Sequence, residues 1–408
     1  MRRAWMACGV GLACAWLGVS MSGCVGDAPI VPIDSGSDGG GGSDSGGGDV
    51  VADVSCTSPL TTCGGACVNT DSDKANCGRC GHDCVGGACT TGVCQPLKVA
   101  NGAGPITNAP PMATDGTYVC WSINTSSGTV YCAPTNVTTA VPIAVASGQD
   151  KPAAIAVAAG KVFWGTGGGG IITLHSGNPA NTSDTPLTPT IAPLGGDFYD
   201  LENLAANSAG TQLYVSYENS LSNGVDYALM IDDLDIGGQS RSNVVTVSGT
   251  NSLSMRTRGL VTDDKALFYS YNYGATNGGT VVRTPLGSGS GTVISSAEDS
   301  PVGTFVDNGF AYWANSSAIR RSTITQAPAP ADVVPNVGSV IGLAATSTHV
   351  VWTEYGGQEV KIAPAAGGAA STYVAGQLGD EPSSLVRDTV AIYWIDKSDG
   401  SLHKVAVP

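Results

Sequence analysis

Histidine, cysteine and carboxylate side chains do most protein chemistry, and this chain of 408 residues has only four histidines: His82, His175, His349 and His403. No two of them stand at the close spacing that holds a metal on one element. Cys77-x-x-Cys80 with His82 nearby has one half of a zinc pattern. A second, equally spaced pair is missing, so disulfides are the expected state. Asp232, Asp233 and Asp235 could gather calcium, but further ordered oxygens do not follow, and they read as solvated surface. Gly165-Thr-Gly167-Gly-Gly-Gly170 fits a dinucleotide fingerprint letter by letter, then runs into Ile171-Ile-Thr-Leu, another strand pattern. With no helix start there is no dipole to hold a pyrophosphate, so the segment reads as a hairpin turn. The mature chain carries no Gly-x-Ser-x-Gly elbow. No catalytic residue, metal or cofactor is assigned.

The residues that could recognise a ligand are aromatic and acidic: Tyr199, Tyr217, Tyr271, Tyr273 and Tyr355, with Asp150, Glu298 and Asp380. They are far apart in sequence and need a fold that gathers loops on one rim. From Gln95 onward a phrase recurs: a strand, a Pro-containing turn, a second strand, then a strand ending in an aromatic. The endings fall at Trp121, Trp164, Val215, Tyr269, Trp313, Trp352 and Trp394, spaced by 39 to 54 residues. About four short strands per such period is the signature of propeller blades. Seven endings predict an all-β, seven-bladed β-propeller over 95–408. The third and fourth units are degenerate, which leaves six blades as the alternative. Each aromatic is expected to pack between neighbouring blades. Loops entering the inner strand and loops between strands two and three share a face, which brings the listed tyrosines and acids onto one rim suited to a sugar or a cation.

The last unit stops after three strands, while Pro96-Leu-Lys-Val-Ala100 matches the fourth-strand phrase Pro142-Ile-Ala-Val-Ala146. The first strand of the region is therefore expected to complete the last blade and close the ring, removing the unpaired edges. Cys120 and Cys132 flank a turn symmetrically and are expected to oppose each other across a hairpin and bond.

The chain is exported by its own amino terminus. Arg2 and Arg3 precede an apolar run too short to span a bilayer, and Met21-Ser-Gly-Cys24 follows. That sequence resembles the bacterial lipobox, which implies a signal over 1–23 and lipid attachment at Cys24. Val25, rather than Asp, follows it, which favours the outer membrane over the inner. Residues 24–55 are rich in Gly, Ser and Asp with no Lys or Arg, and read as a disordered tether. Eight cysteines crowd into 56–94: Cys56, Cys63, Cys67, Cys77, Cys80, Cys84, Cys89 and Cys94. A segment this short needs cross-links to hold it, and the pairing is left open by sequence. The run from Cys63 to Cys84 resembles the stigma-specific cysteine-rich proteins of plants, a pattern that recurs in exported myxobacterial proteins. It implies a small disulfide module and no set activity. The Trp-terminated phrases resemble bacterial propellers with Tyr-Trp strand motifs.

The formal net charge of −15 has the wrong sign for nucleic acid. The expected protein is a monomeric cell-envelope lipoprotein. Its partners are the membrane, through its lipid, and an envelope protein or glycan held by the propeller. The alternatives are a lyase or hydrolase acting on an envelope sugar or peptide antibiotic, and a purely structural surface protein. An enzyme needs a histidine or a carboxylate pair at the propeller axis.

Overall fold

In a computed structural model the chain is described over residues 55–102, 104–168, 171–191, 199–220, 227–238, 240–248, 256–272, 277–324, 329–376 and 381–408. Cys24, the segment 1–23 expected as a signal and nearly all of the segment 24–55 expected as a tether lie outside these residues. Seven four-stranded antiparallel sheets follow one another, six in plain chain order and the seventh taking its outer strand from the start of the region. They are blade 1 (112–149), blade 2 (152–191), blade 3 (199–248), blade 4 (256–298), blade 5 (302–335), blade 6 (340–374) and blade 7 (382–406 with 97–100). The count is seven rather than six. The weak third and fourth units are full blades, with Val215 and Tyr269 in the place of the tryptophan.

Closure is as the repeat phrase predicts. Leu97–Ala100 lies antiparallel to Leu402–Ala406, pairing Ala100 with Leu402 and Lys98 with His403. Three further contacts hold this seam. Lys98 Nζ lies 2.6 Å from Asp399 Oδ2. The loop after the third strand of blade 1 straps the outer edge, where Ala140 N donates to Val99 O. Lys404, buried in blade 7, donates to Thr135 O and Val137 O in the same strap.

The six aromatic endings and Val215 occupy one register in the second strands and are at most 4% exposed. Each tryptophan joins two blades: Trp164 packs with Cys120, Val130 and Val145 of blade 1, Trp313 with Phe268 and Val281 of blade 4, and Trp121 with Tyr393 and Ile395 of blade 7. The recurrent glycine at the start of the third strand has a steric cause. A Cβ on Gly128 would stand 2.6 Å from Pro152 Cδ, and one on Gly279 would stand 2.2 Å from Pro301 Cδ. The proline that opens the next inner strand and this glycine thus form one close contact between blades. Turns from first to second strand are set by an acid that accepts two backbone N–H groups, as Asp115 does from Thr117 and Tyr118 and Asp388 from Val390 and Ala391. The Gly-rich stretch after Trp164 ends one strand at Gly168 and another begins at Ile171, a hairpin as expected.

All ten cysteines of the described chain are bonded: Cys56–Cys67, Cys63–Cys80, Cys77–Cys89, Cys84–Cys94 and Cys120–Cys132. Cys120 and Cys132 are directly opposed with Cα atoms 4.0 Å apart, close to a non-hydrogen-bonded cross-strand pair. The cysteine module does not stand apart from the propeller. Cys77, Cys84 and Cys94 share a core cluster with Val351, Val360, Ile392, Trp394 and Val405 of blades 6 and 7. His82 fastens that contact, with Nδ1 2.7 Å from Cys77 O and Nε2 3.0 Å from Val407 O.

Two stability outcomes follow. Burial alone would raise the Asp399 carboxyl, but bonds from Lys98 and Ser401 outweigh it and hold it near 2, below the ordinary 3.8. Its stabilising contribution is complete above the ordinary value and is lost as pH falls toward 2. Acid unfolding profiles should therefore show wild type losing more stability across that window than Asp399→Asn. Replacing both Cys120 and Cys132 by Ser should lower unfolding free energy by about 3 kcal/mol, measured by denaturant titration.

Candidate functional site

The rim drawn from sequence is only partly present. Asp150 is exposed in the loop between blades 1 and 2. Tyr355 is 73% exposed after the second strand of blade 6, and Lys397 Nζ lies 5.4 Å from its ring centroid. Lys397 also pairs with Glu381 at 3.1 Å, so these three residues from blades 6 and 7 are gathered together. Tyr217, Tyr271 and Glu298 are withdrawn from the rim. Tyr217 and Tyr271 stand two residues beyond the second-strand position, in strands that run on to Ser220 and Asn272, and Glu298 is the last residue of the fourth strand Thr292–Glu298, which keeps all three inside the sheets. Tyr217 is 1% exposed and donates its hydroxyl to Asp232 Oδ2. Tyr271 packs in the cluster between blades 3 and 4. Glu298 is 1% exposed and receives Arg320, Ser295 and Asn315. Tyr199 is described as backbone only, at the start of Tyr199–Ala206, and Tyr273 and Asp380 lie outside the described residues. Asp232 is also a correction. It is buried rather than solvated, because Arg241 lies 3.2 Å away and Asn243 donates to it.

The inner strands of all seven blades line an axial cavity of about 390 Å³, whose charged members are Glu202, Arg258 and Arg387. Arg387 is already committed to Asp307 and to Ala345 O. The propeller histidines stand elsewhere. His175 stacks on Trp164 with Nδ1 2.9 Å from Asp184, and His403 stacks on Trp394 with Nε2 2.8 Å from Ser401. His349 faces the cleft beside Arg79 of the cysteine module, and burial and then that charge hold its pKa below the ordinary value. Asp200, Glu202 and Glu218 bring three carboxylate oxygens within 4.8 Å of one another, and each already has a partner within the protein.

Repetition points to a different site. Beside each aromatic ending lies a niche bounded by the last strand of the preceding blade and by a third-strand residue. The third-strand partners in register are Tyr131, His175, Asp232, Val282, Arg320, Lys361 and His403. In blade 2 the niche is filled by Gln149 of blade 1, whose Oε1 accepts from Trp164 Nε1 at 2.9 Å. In blade 5 it is filled by Glu298 of blade 4, which takes Arg320. Gln149 and Glu298 hold the same place in the phrases Gly148-Gln-Asp-Lys-Pro152 and Ala297-Glu-Asp-Ser-Pro301, and Gly148 and Ala297 both have positive φ. Blade 6 has Val337 at that place and is filled instead by its own Glu354, which accepts from Trp352 Nε1 and Lys361 Nζ, each at 2.9 Å.

Blade 1 has neither plug. Aligning 97–103 with 143–149 sets an alanine, Ala103, where Gln149 stands, and Ile123 stands where Glu354 does. A cavity of about 290 Å³ is left at the seam, lined by Trp121, Tyr131, Ile123, Ile106, Pro142, Asn101, Gly102 and Gly104. Trp121 and Tyr131 stack with centroids 5.7 Å apart. Among the described residues no group accepts from the Trp121 indole N–H. Among the described residues none accepts from Trp313 or Trp394 either; the Trp313 Nε1 is sealed in the core, and Trp394 lies beside the cavity of blade 7. Val141, on the strand approach beside Pro142, is 86% exposed. The corresponding cavity at blade 7, about 210 Å³, is polar, lined by Asp396, His403, Gln358 and Lys98 beside Trp394. Sequence reasoning missed the seam niche because it sought side chains that do chemistry, and this niche is defined by a missing one.

Residues 50–96 match the stigma-specific STIG1-like protein family. No curated protein matches the chain. Among solved structures the propeller is similar to a catalytically inactive virginiamycin B lyase from Staphylococcus aureus with quinupristin, at 12% identity and a TM-score of 0.50, over 74% of this chain and 98% of that one. It is similar also to the computationally designed Ika8 protein, at 10% identity and a TM-score of 0.49, over 76% of this chain and 100% of that one. At these identities the likeness shows the fold alone.

The plugs are expected to stabilise. Gln149→Ala strands the buried Trp164 N–H and should cost about 1–3 kcal/mol by denaturant unfolding. Glu298→Ala leaves Arg320 with Asp332 as its remaining carboxylate and should cost about 1–3 kcal/mol.

Proposed function

We propose that the protein is a cell-envelope lipoprotein, anchored through Cys24, whose propeller is a binding module rather than an enzyme. The observation that carries the binding reading is the open aromatic niche at the seam, since its equivalents in blades 2, 5 and 6 are filled by the protein's own side chains. A small concave site with aromatic walls and few polar groups is the usual form of a ligand pocket. The placement of His175, His349 and His403 away from the axial cavity supports the same reading over a histidine-driven lyase. The lipid anchor rests on the Met21–Cys24 pattern, and the tether that follows it would hold the propeller off the bilayer. The cysteine module, packed against blades 6 and 7, is then a rigid part of the presented surface.

Two measurements test this. Cys24→Ser should move the protein from the membrane fraction to the soluble fraction; an unchanged membrane fraction would remove the anchor. Envelope material retained by the immobilised mature protein should be lost with Tyr131→Ala at an unchanged unfolding midpoint. Equal retention by wild type and variant would remove the niche.

A further inference from the structure

The plugs of the other blades describe what the seam niche lacks. Where the acceptor is a carboxylate, a cation answers it: Arg320 for Glu298 and Lys361 for Glu354. Where the third strand offers no free cation, the acceptor is neutral: Trp164 is met by the Gln149 carboxamide, while the neighbouring His175 is occupied by Asp184. At the seam the register position of Arg320 and Lys361 is Tyr131, and among the described residues no cation lines the cavity. A carboxylate would enter uncompensated, into a protein of formal net charge −15. A neutral amide oxygen is the remaining match for the Trp121 indole N–H.

Size and walls narrow the class. A cavity of about 290 Å³ is at the small end of ligand sites and holds one ring with a short substituent. Tyr131, Ile123 and Ile106 give it an apolar wall on which C–H faces and a methyl group can pack. We infer that the seam niche binds an N-acetylated amino sugar, with the acetamido oxygen accepting from Trp121 Nε1 and the sugar ring against Tyr131. This names the ligand class for the binding reading above and rests on it.

The test titrates the mature full chain with N-acetyl-D-glucosamine and with D-glucose, followed by calorimetry and tryptophan fluorescence. N-acetyl-D-glucosamine should bind at least tenfold more tightly than D-glucose. Trp121→Phe, which keeps an aromatic face but removes the N–H with the pyrrole ring, should weaken N-acetyl-D-glucosamine about tenfold and leave D-glucose little changed. Ile123→Gln, which supplies an internal carboxamide from the place of Glu354, should abolish binding while leaving the unfolding midpoint unchanged or raised. Equal affinity for the two sugars, no binding of either, or no effect of Trp121→Phe would each overturn the inference. If the acetamido sugar fails while envelope material is still lost with Tyr131→Ala, the niche binds a different chemistry, such as a peptide amide, and only the sugar assignment falls.

Discussion

A ring of sheets has to be fastened somewhere, and in this chain four residues do it. Leu97–Ala100 supplies the outer strand of blade 7 and thereby ties the start of the propeller to its end. Closure pairs the otherwise bare edge of Leu402–Ala406 and sets the six second-strand aromatics and Val215 against their neighbours all the way around. The seam is built more heavily than one strand pair requires. A strap from blade 1 covers its outer edge, a buried lysine ties that strap to blade 7, and a salt bridge joins the closing strand to the last hairpin. The cysteine module packs on blades 6 and 7, so its disulfides reinforce one side of the seam.

The seam is also where the repeat is broken, and the break makes the site. The closing strand comes from ahead of blade 1 rather than from within the regular series. Its following residues therefore turn into the long connection to Met112 and carry no Gln or Glu plug. In blades 2, 5 and 6 an amide or a carboxylate fills the niche and is matched by an indole or a cation, from the next blade in blades 2 and 5 and from the same blade in blade 6. Structural demand explains those pairs fully, since an indole N–H or guanidinium enclosed without a partner is costly. At the seam the same demand is left to something outside the chain.

Much of the architecture was legible because a repeat prints several copies of one answer. The phrase around Pro142 could be laid on that around Pro96, and the closing strand followed. The symmetric placement of Cys120 and Cys132 about their turn fixed that bridge. The module's four pairings were not legible, because spacing within 56–94 says nothing about which sulfurs meet once the chain folds back on blades 6 and 7. The rim failed for a local reason. Nine-residue Gln212–Ser220 and seven-residue Ala266–Asn272 outlast their aromatic positions, so Tyr217 and Tyr271 stay in the sheet instead of entering a loop. Glu298 and Asp232 looked like hydrated acids because their partners, Arg320 and Arg241, arrive from other strands. The niche itself was readable only by comparing phrases, as a Gln, a Glu and an Ala at one place.

Ring closure by the leading strand is most directly examined by amide hydrogen exchange on the intact protein, resolved at 97–100 and 402–406. If the seam is as firm as the blades it joins, both segments exchange as slowly as the second strands of blades 2 to 6 and open together with them. Exchange of 97–100 within seconds, with 402–406 still protected, would mean that the ring stands without its clasp and would contradict the account.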